Sequence, residues 1–321
     1  MFRTELNITP SQNKIDLKSK LLFMGSCFSD NIGKKFVENK FDVLSNPFGV
    51  IYNPLSVLEL IDIAQKGKAL PQHLFVQNQE IWYHYLLHSD LSNTKKARLE
   101  ADIDKKLTET KEQLNNIDFL IVTLGTANVF QLAKSGETVA NCHKIPRYTF
   151  ERRMLDIEEI VNGFEEMLAL LSPNTKVILT VSPVRHVRDS LQTNAISKSI
   201  LRLTAHQLQT RNEQVDYFPA YELLLDDLRD YRFYASDMVH PSEEAIEYIS
   251  QKFHETYLSD SATAFIKKWG KLNKALHHRP FHTDTNAYAD FLEKTLEKLN
   301  TITEVNVEKE IEEVKNKIEN L

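Results

Sequence analysis

Five short apolar runs lie along the first two thirds of the chain, separated by longer amphipathic segments. The runs are KLLFMG (20–25), FDVLSN (41–46), DFLIVTLG (118–125), KVILTVS (176–182) and VDYFPA (215–220). Between them SDNIGKKFVENK, PLSVLELIDIAQKG, TKKARLEADIDKKLTETKEQLNN, DIEEIVNGFEEMLALLS and TNAISKSILRLTAHQLQTRN carry apolar residues at three- and four-residue intervals, the spacing of a helix with one buried face. Strand-length runs alternating with helices predict an α/β fold with a parallel sheet covered on both faces. LSPNTKVILTVSP shows the punctuation: a helix stops before Pro173, a polar turn follows, and a β-rich run opens into Ser182 and Pro183.

Two stretches depart from this rhythm. QNQEIWYHYLLHSD (77–90) mixes alternation with aromatics and follows no helix, which predicts a strand or hairpin inserted beside the sheet. Beyond about residue 260 the chain becomes helical and rich in Glu, Lys and Asn, ending in EKEIEEVKNKIENL. The expected organisation is therefore one domain over 1–260 and a helical extension over 261–321.

With 321 residues, the chain is long enough to bury a full core. A net charge of −6, with no basic stretch interleaved by aromatics, argues against a nucleic-acid surface. The polar start and the lack of a run near 20 apolar residues argue against a signal peptide and a membrane span, so a cytoplasmic location is expected. Cys27 and Cys142 sit in no Cys-rich framework and no zinc-like spacing, and are expected to be free thiols.

In an open parallel sheet, functional groups collect at the carboxyl ends of the strands, where helix N-termini offer free N–H groups. Those positions hold Gly25-Ser26-Cys27, Asn46-Pro47-Phe48-Gly49, Gly125-Thr126-Ala127-Asn128 and Ser182-Pro183-Val184-Arg185-His186. Ser26 becomes a nucleophile only beside a base. His240 fits that role. Pro241, Ser242, Glu243 and Glu244 mark a helix start, so His240 lies in the loop ahead of it. Asp237, three residues earlier, can accept from Nδ1 and leave Nε2 for the hydroxyl. Gly-Ser after a strand is also an ordinary turn and N-cap, and Asp-x-x-His in a loop is often surface polarity; the two together point to acyl transfer.

FMGSCFSDNIG, NPFGVIYNP, TLGTANVF, VANCHKIP, TVSPVRHVRD and YFPAYELLLDDLRDYRFYASDMVHPSEEA resemble the GSCFA domain family, itself related to the SGNH (GDSL-type) hydrolases. The likeness spans residues 22 to about 258. It implies a flavodoxin-like three-layer α/β/α sandwich, a catalytic Ser26 and an Asp237/His240 pair. It also implies an oxyanion donor in the backbone N–H of Gly49, and the Ser26 N–H at the helix start is expected to be a second. The superfamily's third block reads Gly-x-Asn, whereas Ala127 stands two beyond Gly125 and Asn128 comes one place late. Asn128, Asn141 and the Thr126 hydroxyl are candidates for the side-chain donor, with Asn128 preferred.

On that resemblance Cys27, one residue into the helix, turns about 100° away from the catalytic position. Its thiol would serve only if the helix start lowered its pKa; packing is preferred. His143, His186 and Arg185, with Asn141, are candidates to line a pocket; Arg185 and Arg188 could pair with an anionic substrate group, but pairing with surface carboxylates is preferred. Trp82 and Tyr85 are read as packing, with sugar stacking as the alternative. The expected activity is hydrolysis of a small acyl ester, on a small molecule or a carbohydrate, without a cofactor or metal. Three alternatives remain: an acyltransferase using a sugar hydroxyl as acceptor, a catalytically inactive binding domain, and a metal-dependent hydrolase using His84, His143 or His186. The C-terminal helices could pair between copies or pack back on the domain.

Overall fold

The computed structural model describes residues 3–278 and 280–321. Its strands are β1 (Lys20–Gly25), β2 (Asp42–Ser45), β3 (Phe75–Asn78), β4 (Ile81–His84), β5 (Phe119–Leu124), β6 (Asn128–Leu132), β7 (Thr138–Val139), β8 (Phe150–Met154), β9 (Lys176–Val181) and β10 (Val215–Phe218). The helices are α1 (Cys27–Glu38), α2 (Pro54–Lys66), α3 (Lys96–Asn115), α4 (Ile157–Leu168), α5 (Leu191–Arg211), the single turn α6 (Ala220–Glu222), α7 (Glu243–Tyr257), α8 (Asp260–Leu276), α9 (Asn286–Asn300) and α10 (Glu308–Glu319).

The five apolar runs become one parallel sheet of order β10-β9-β5-β1-β2. Successive side chains of a strand point to opposite faces, and the core divides accordingly. Leu22, Met24, Leu120, Val122, Leu124, Val177, Leu179 and Val181 share one apolar cluster with α2, α3, α4 and α5. Leu21, Phe23, Phe119, Ile121, Ile178 and Phe218 share another with α1 and α7. The result is a three-layer α/β/α sandwich of flavodoxin-like strand order. After β1 the chain moves outward to β2 and then returns to β5 on the other side. The gap between the carboxyl ends of β1 and β5 is thus a topological switch point, where such sheets bind their ligands.

The inserted hairpin is present as antiparallel β3–β4. The three-stranded antiparallel sheet β7-β6-β8 departs from the sequence reading, which left that region unassigned. Its strands are short, two to five residues, and β8 (FERRM) alternates too weakly to register as a pattern. Helix α1 begins at Cys27 rather than Ser29, because Ser26 supplies the N-cap by accepting from the Phe28 N–H at 3.4 Å.

Helices α8, α9 and α10 enclose their own cluster of Phe265, Trp269, Leu272, Leu292, Leu299 and Val314. Trp269, 1% exposed, donates its indole N–H to the Glu38 carbonyl at the end of α1, 2.8 Å away, so this unit packs back on the sandwich. Among the described residues no helix is long and apolar enough to cross a membrane.

Candidate active site

The switch point is built first from backbone. Gly25 closes β1 at φ +128°, and a Cβ there would stand 2.2 Å from the Thr123 carbonyl oxygen, so only glycine fits. This close approach lets the Ser26 N–H donate to Thr123 O at 3.1 Å and the Ile51 N–H donate to Gly25 O at 2.9 Å. Asn46, held at φ +40°, fastens the junction: its Oδ1 accepts from the Gly25 N–H at 2.9 Å and its Nδ2 donates to Asp30 Oδ1 at 2.7 Å. Ser26 is 1% exposed at the N-terminus of α1, where unpaired N–H groups and the helix dipole favour negative charge.

Asp237 and His240 come together as the sequence predicts. Met238 turns through the left-handed region at φ +57°, which folds the loop back on Asp237. Its Oδ1 then accepts from the Val239 and His240 N–H groups at 2.9 and 3.0 Å, and its Oδ2 lies 2.7 Å from His240 Nδ1. These bonds hold the exposed Asp237 carboxyl down to about 2, so it stays ionised and the Nδ1–H tautomer is favoured. Ser242 caps α7 behind it by accepting from the Ala245 N–H at 3.3 Å. The loop is joined to the end of β9 by the Arg185 N–H, which donates to Val239 O at 3.2 Å.

Ser26 and His240 are not in hydrogen-bond contact. Among the described residues Ser26 Oγ engages only the Phe28 N–H, and the half-exposed His240 ring carries no protein partner on Nε2. Catalytic hydrogen bonds often tighten only when substrate is bound.

The backbone oxyanion donors require a correction for this state. The Gly49 N–H donates to Asn46 O at 2.8 Å, because the left-handed Asn46 closes a tight turn over Pro47 and Phe48. The Ser26 N–H is held by Thr123 O, as described. Asn128 differs: it is 9% exposed, its N–H donates to Thr126 Oγ1 at 3.1 Å, and its buried Nδ2 has no partner among the described residues. The Thr126 hydroxyl, a rival candidate, is engaged with Ser197 Oγ at 3.1 Å.

Asn141 and His143 belong to the antiparallel layer. Asn141 Oδ1 accepts from the His143 N–H at 2.9 Å, and the His143 ring lies 3.1 Å from Ser89 Oγ and 2.9 Å from His84 O. Burial drives His84 and His143 down to about 4, so both are neutral near pH 7. This layer meets the switch point through His88, whose N–H donates to Phe48 O at 3.1 Å. His186 packs edge-on against Tyr52 at 5.5 Å, and burial, with the charges of Lys198 and His240, lowers it to about 4. Arg185 finds tyrosines rather than carboxylates: its guanidinium lies 4.1 Å from the Tyr234 ring centre and donates to a tyrosine hydroxyl, Tyr234 Oη, at 2.7 Å. Trp82 packs against the main core cluster and Tyr85 belongs to it.

Cys27 and Cys142 are free thiols. Burial and the Asp30 carboxylate raise Cys27, outweighing the N–H groups of Cys27 and Phe28; the helix start does not make it a thiolate. Among the described residues no three His, Cys, Asp or Glu side chains converge as metal ligands.

Sequence reasoning passed over two residues that organise the site, Asn46 and Lys198. Lys198 Nζ donates to Gly125 O and Ser182 O, each at 2.7 Å. A signal for it exists, since Asn194, Ser197, Lys198, Leu201, Thr204, Ala205 and Leu208 form the buried stripe of α5, and a lysine in such a stripe is unusual.

No curated protein gives a match. Among solved structures, a candidate platelet activating factor from Streptococcus pneumonia aligns at 14% identity and TM-score 0.38, covering 74% of this chain and 84% of its own. An acetyl xylan esterase from the rumen bacterium Butyrivibrio proteoclasticus aligns at 12% identity and TM-score 0.36, covering 81% of this chain and 66% of its own. The description "GSCFA family" matches residues 20–253, and "GSCFA domain protein, C-terminal domain" matches residues 269–320. Because those matches take in the sandwich with its switch point and the helical unit behind it, the chain belongs to the GSCFA family.

Proposed function

We propose that this protein is a serine esterase that hydrolyses small acyl esters through Ser26, His240 and Asp237. The observation that carries the reading is the Asp237–His240 pair. An ionised carboxylate 2.7 Å from Nδ1 orients a ring whose Nε2 has no partner among the described residues, on a loop joined to the segment after β9 by the Arg185 N–H. In the reaction His240 Nε2 takes the Ser26 Oγ proton as Oγ bonds to the ester carbonyl carbon, and returns it to the departing alcohol as the C–O bond breaks. Water, deprotonated by the same nitrogen, then cleaves the acyl-serine and releases the acid.

The oxyanion is held by the Asn128 amide, whose Nδ2 lacks any other partner, and by the first-turn N–H of Cys27, for which the described residues supply no backbone acceptor. Ser26 is almost fully covered while His240 is half-exposed. That asymmetry favours a short acyl group on the serine side and leaves room for a bulky polar alcohol, such as a carbohydrate, on the histidine side.

Labelling with a fluorophosphonate probe tests the proposal. Wild-type protein and Cys27→Ala are expected to label, and Ser26→Ala is not. An unlabelled wild type, or labelling that survives Ser26→Ala, removes the serine mechanism. Offering acyl donors with and without sugar acceptors then shows whether the acyl group passes to water, as proposed, or to a hydroxyl.

A further inference from the structure

Lys198 is 1% exposed, and no carboxylate among the described residues pairs with it. Desolvating an ammonium ion costs several kcal/mol, and methionine would fill nearly the same volume without that cost. Burial lowers Lys198 to about 7, opposed by Cys27, and its two carbonyl acceptors favour the charged form. The groups facing it are Cys27 from α1, His186 from the loop after β9, the Tyr221 ring from α6 at 6.0 Å, and the two carbonyls.

Those carbonyls belong to two different loops. Gly125 begins the segment leading to Asn128, whose next residues are also held by α5: Ser197 Oγ accepts from the Ala127 N–H at 2.7 Å. Ser182 begins the segment leading to Arg185, which in turn carries the His240 loop through Val239 O. One side chain therefore bridges the loop of the candidate oxyanion amide and the loop that supports the base.

We propose that Lys198 is a positioning residue: its ammonium group fastens the carboxyl ends of β5 and β9 together and so sets Asn128 and the His240 loop in register with Ser26. The catalytic consequence rests on the esterase reading above; the clamp itself does not. Hydrogen bonds from a charged donor are about twice as strong as neutral ones, and small misplacements of catalytic groups cost up to about 100-fold in rate.

The test uses Lys198→Met and Lys198→Arg in the full chain, with three readouts: thermal unfolding, hydrogen exchange, and the rate of fluorophosphonate labelling from pH 5 to 10. Lys198→Met removes a buried charge but leaves Gly125 O and Ser182 O without their donor, so it is expected to stay folded with a modestly lowered melting temperature. Exchange should nevertheless rise at least tenfold in 125–128 and 182–186, and labelling should slow by tenfold or more. Wild type should lose labelling rate as pH rises above about 7 and the ammonium deprotonates, whereas Lys198→Arg, charged throughout, should keep it. Unchanged exchange in the two loops, or a rise spread evenly over the chain, overturns the clamp. A falling limb that persists in a folded Lys198→Arg, or is absent from wild type, overturns its link to catalysis. If wild type does not label at all, the esterase reading fails while hydrogen exchange in Lys198→Met still decides the clamp.

Discussion

Replacing Asp237 by Asn separates the catalytic from the architectural work of the Asp-x-x-His loop. Asp237 Oδ1 accepts two backbone N–H groups, from Val239 and His240, and an asparagine oxygen can accept both. Only the contact from Oδ2 to His240 Nδ1 changes character, because an amide N–H2 now faces the ring and cannot accept its proton. The imidazole then prefers the tautomer with its proton on Nε2, which cannot take one from Ser26. A misassigned tautomer of this kind costs roughly 10⁴ in kcat, or about 5.4 kcal/mol of barrier at 1.36 kcal/mol per decade. Asp237 is half-exposed and the two backbone bonds it accepts survive the change, so the melting temperature should move little. The assay pairs hydrolysis of a chromogenic acetate ester with thermal unfolding. Activity within tenfold of wild type would refute the assignment of Asp237 as the residue that orients His240. A large drop in melting temperature would refute the claim that the loop survives the change.

Two further measurements follow. Asn128→Ala should lower kcat by about 10²–10³ with little change in KM, since its amide acts on charge that develops only in the transition state; a variant with wild-type kcat would transfer the role to another donor. Stability should fall as pH drops from about 6.5 towards 4. Burial holds His84, His143, His186 and His254 down to about 4 in the folded protein, whereas the unfolded chain protonates near 6.5. The unfolded state thus binds more protons within that window, and stability is greatest above it. Glu59, raised to about 7 by burial, works in the opposite direction but is one group against four. Equal urea midpoints at pH 7 and pH 5 would contradict this.

The sheet was legible because its central strands are buried on both faces: β5 is FLIVTL, with every residue buried, and such runs stand out against amphipathic helices. The Asp237–His240 loop was legible for a local reason, since a Ser cap followed by acidic residues marks where α7 starts. The β7-β6-β8 layer was not, because strands of two to five residues with exposed edges carry too few alternations to be seen. The Gly49 N–H was misjudged because the sequence could not show Asn46 in a left-handed conformation, and that conformation turns the Asn46 carbonyl onto the donor. Lys198 was legible only as an oddity, a lysine in the buried stripe of α5. Its role was not, because the two carbonyls it joins lie on loops distant in sequence.

Ser26 shows why its identity had to be argued from elsewhere in the chain. The geometry that makes Ser26 cap a helix is also the one the proposed nucleophile needs: extended backbone at φ −70° and ψ 171°, a hydroxyl over the first turn, and N–H groups pointing at it. As a cap, the oxygen accepts from the Phe28 N–H, and its own proton is left for another acceptor. Capping therefore does not compete with catalysis, because the base needs the proton and the carbonyl needs a lone pair the cap does not use. What sets Ser26 apart from the other capping residues, such as Ser242 and Ser259, is its place at the switch point of the sheet, and the proposed esterase reading requires the oriented imidazole of His240 to reach it there.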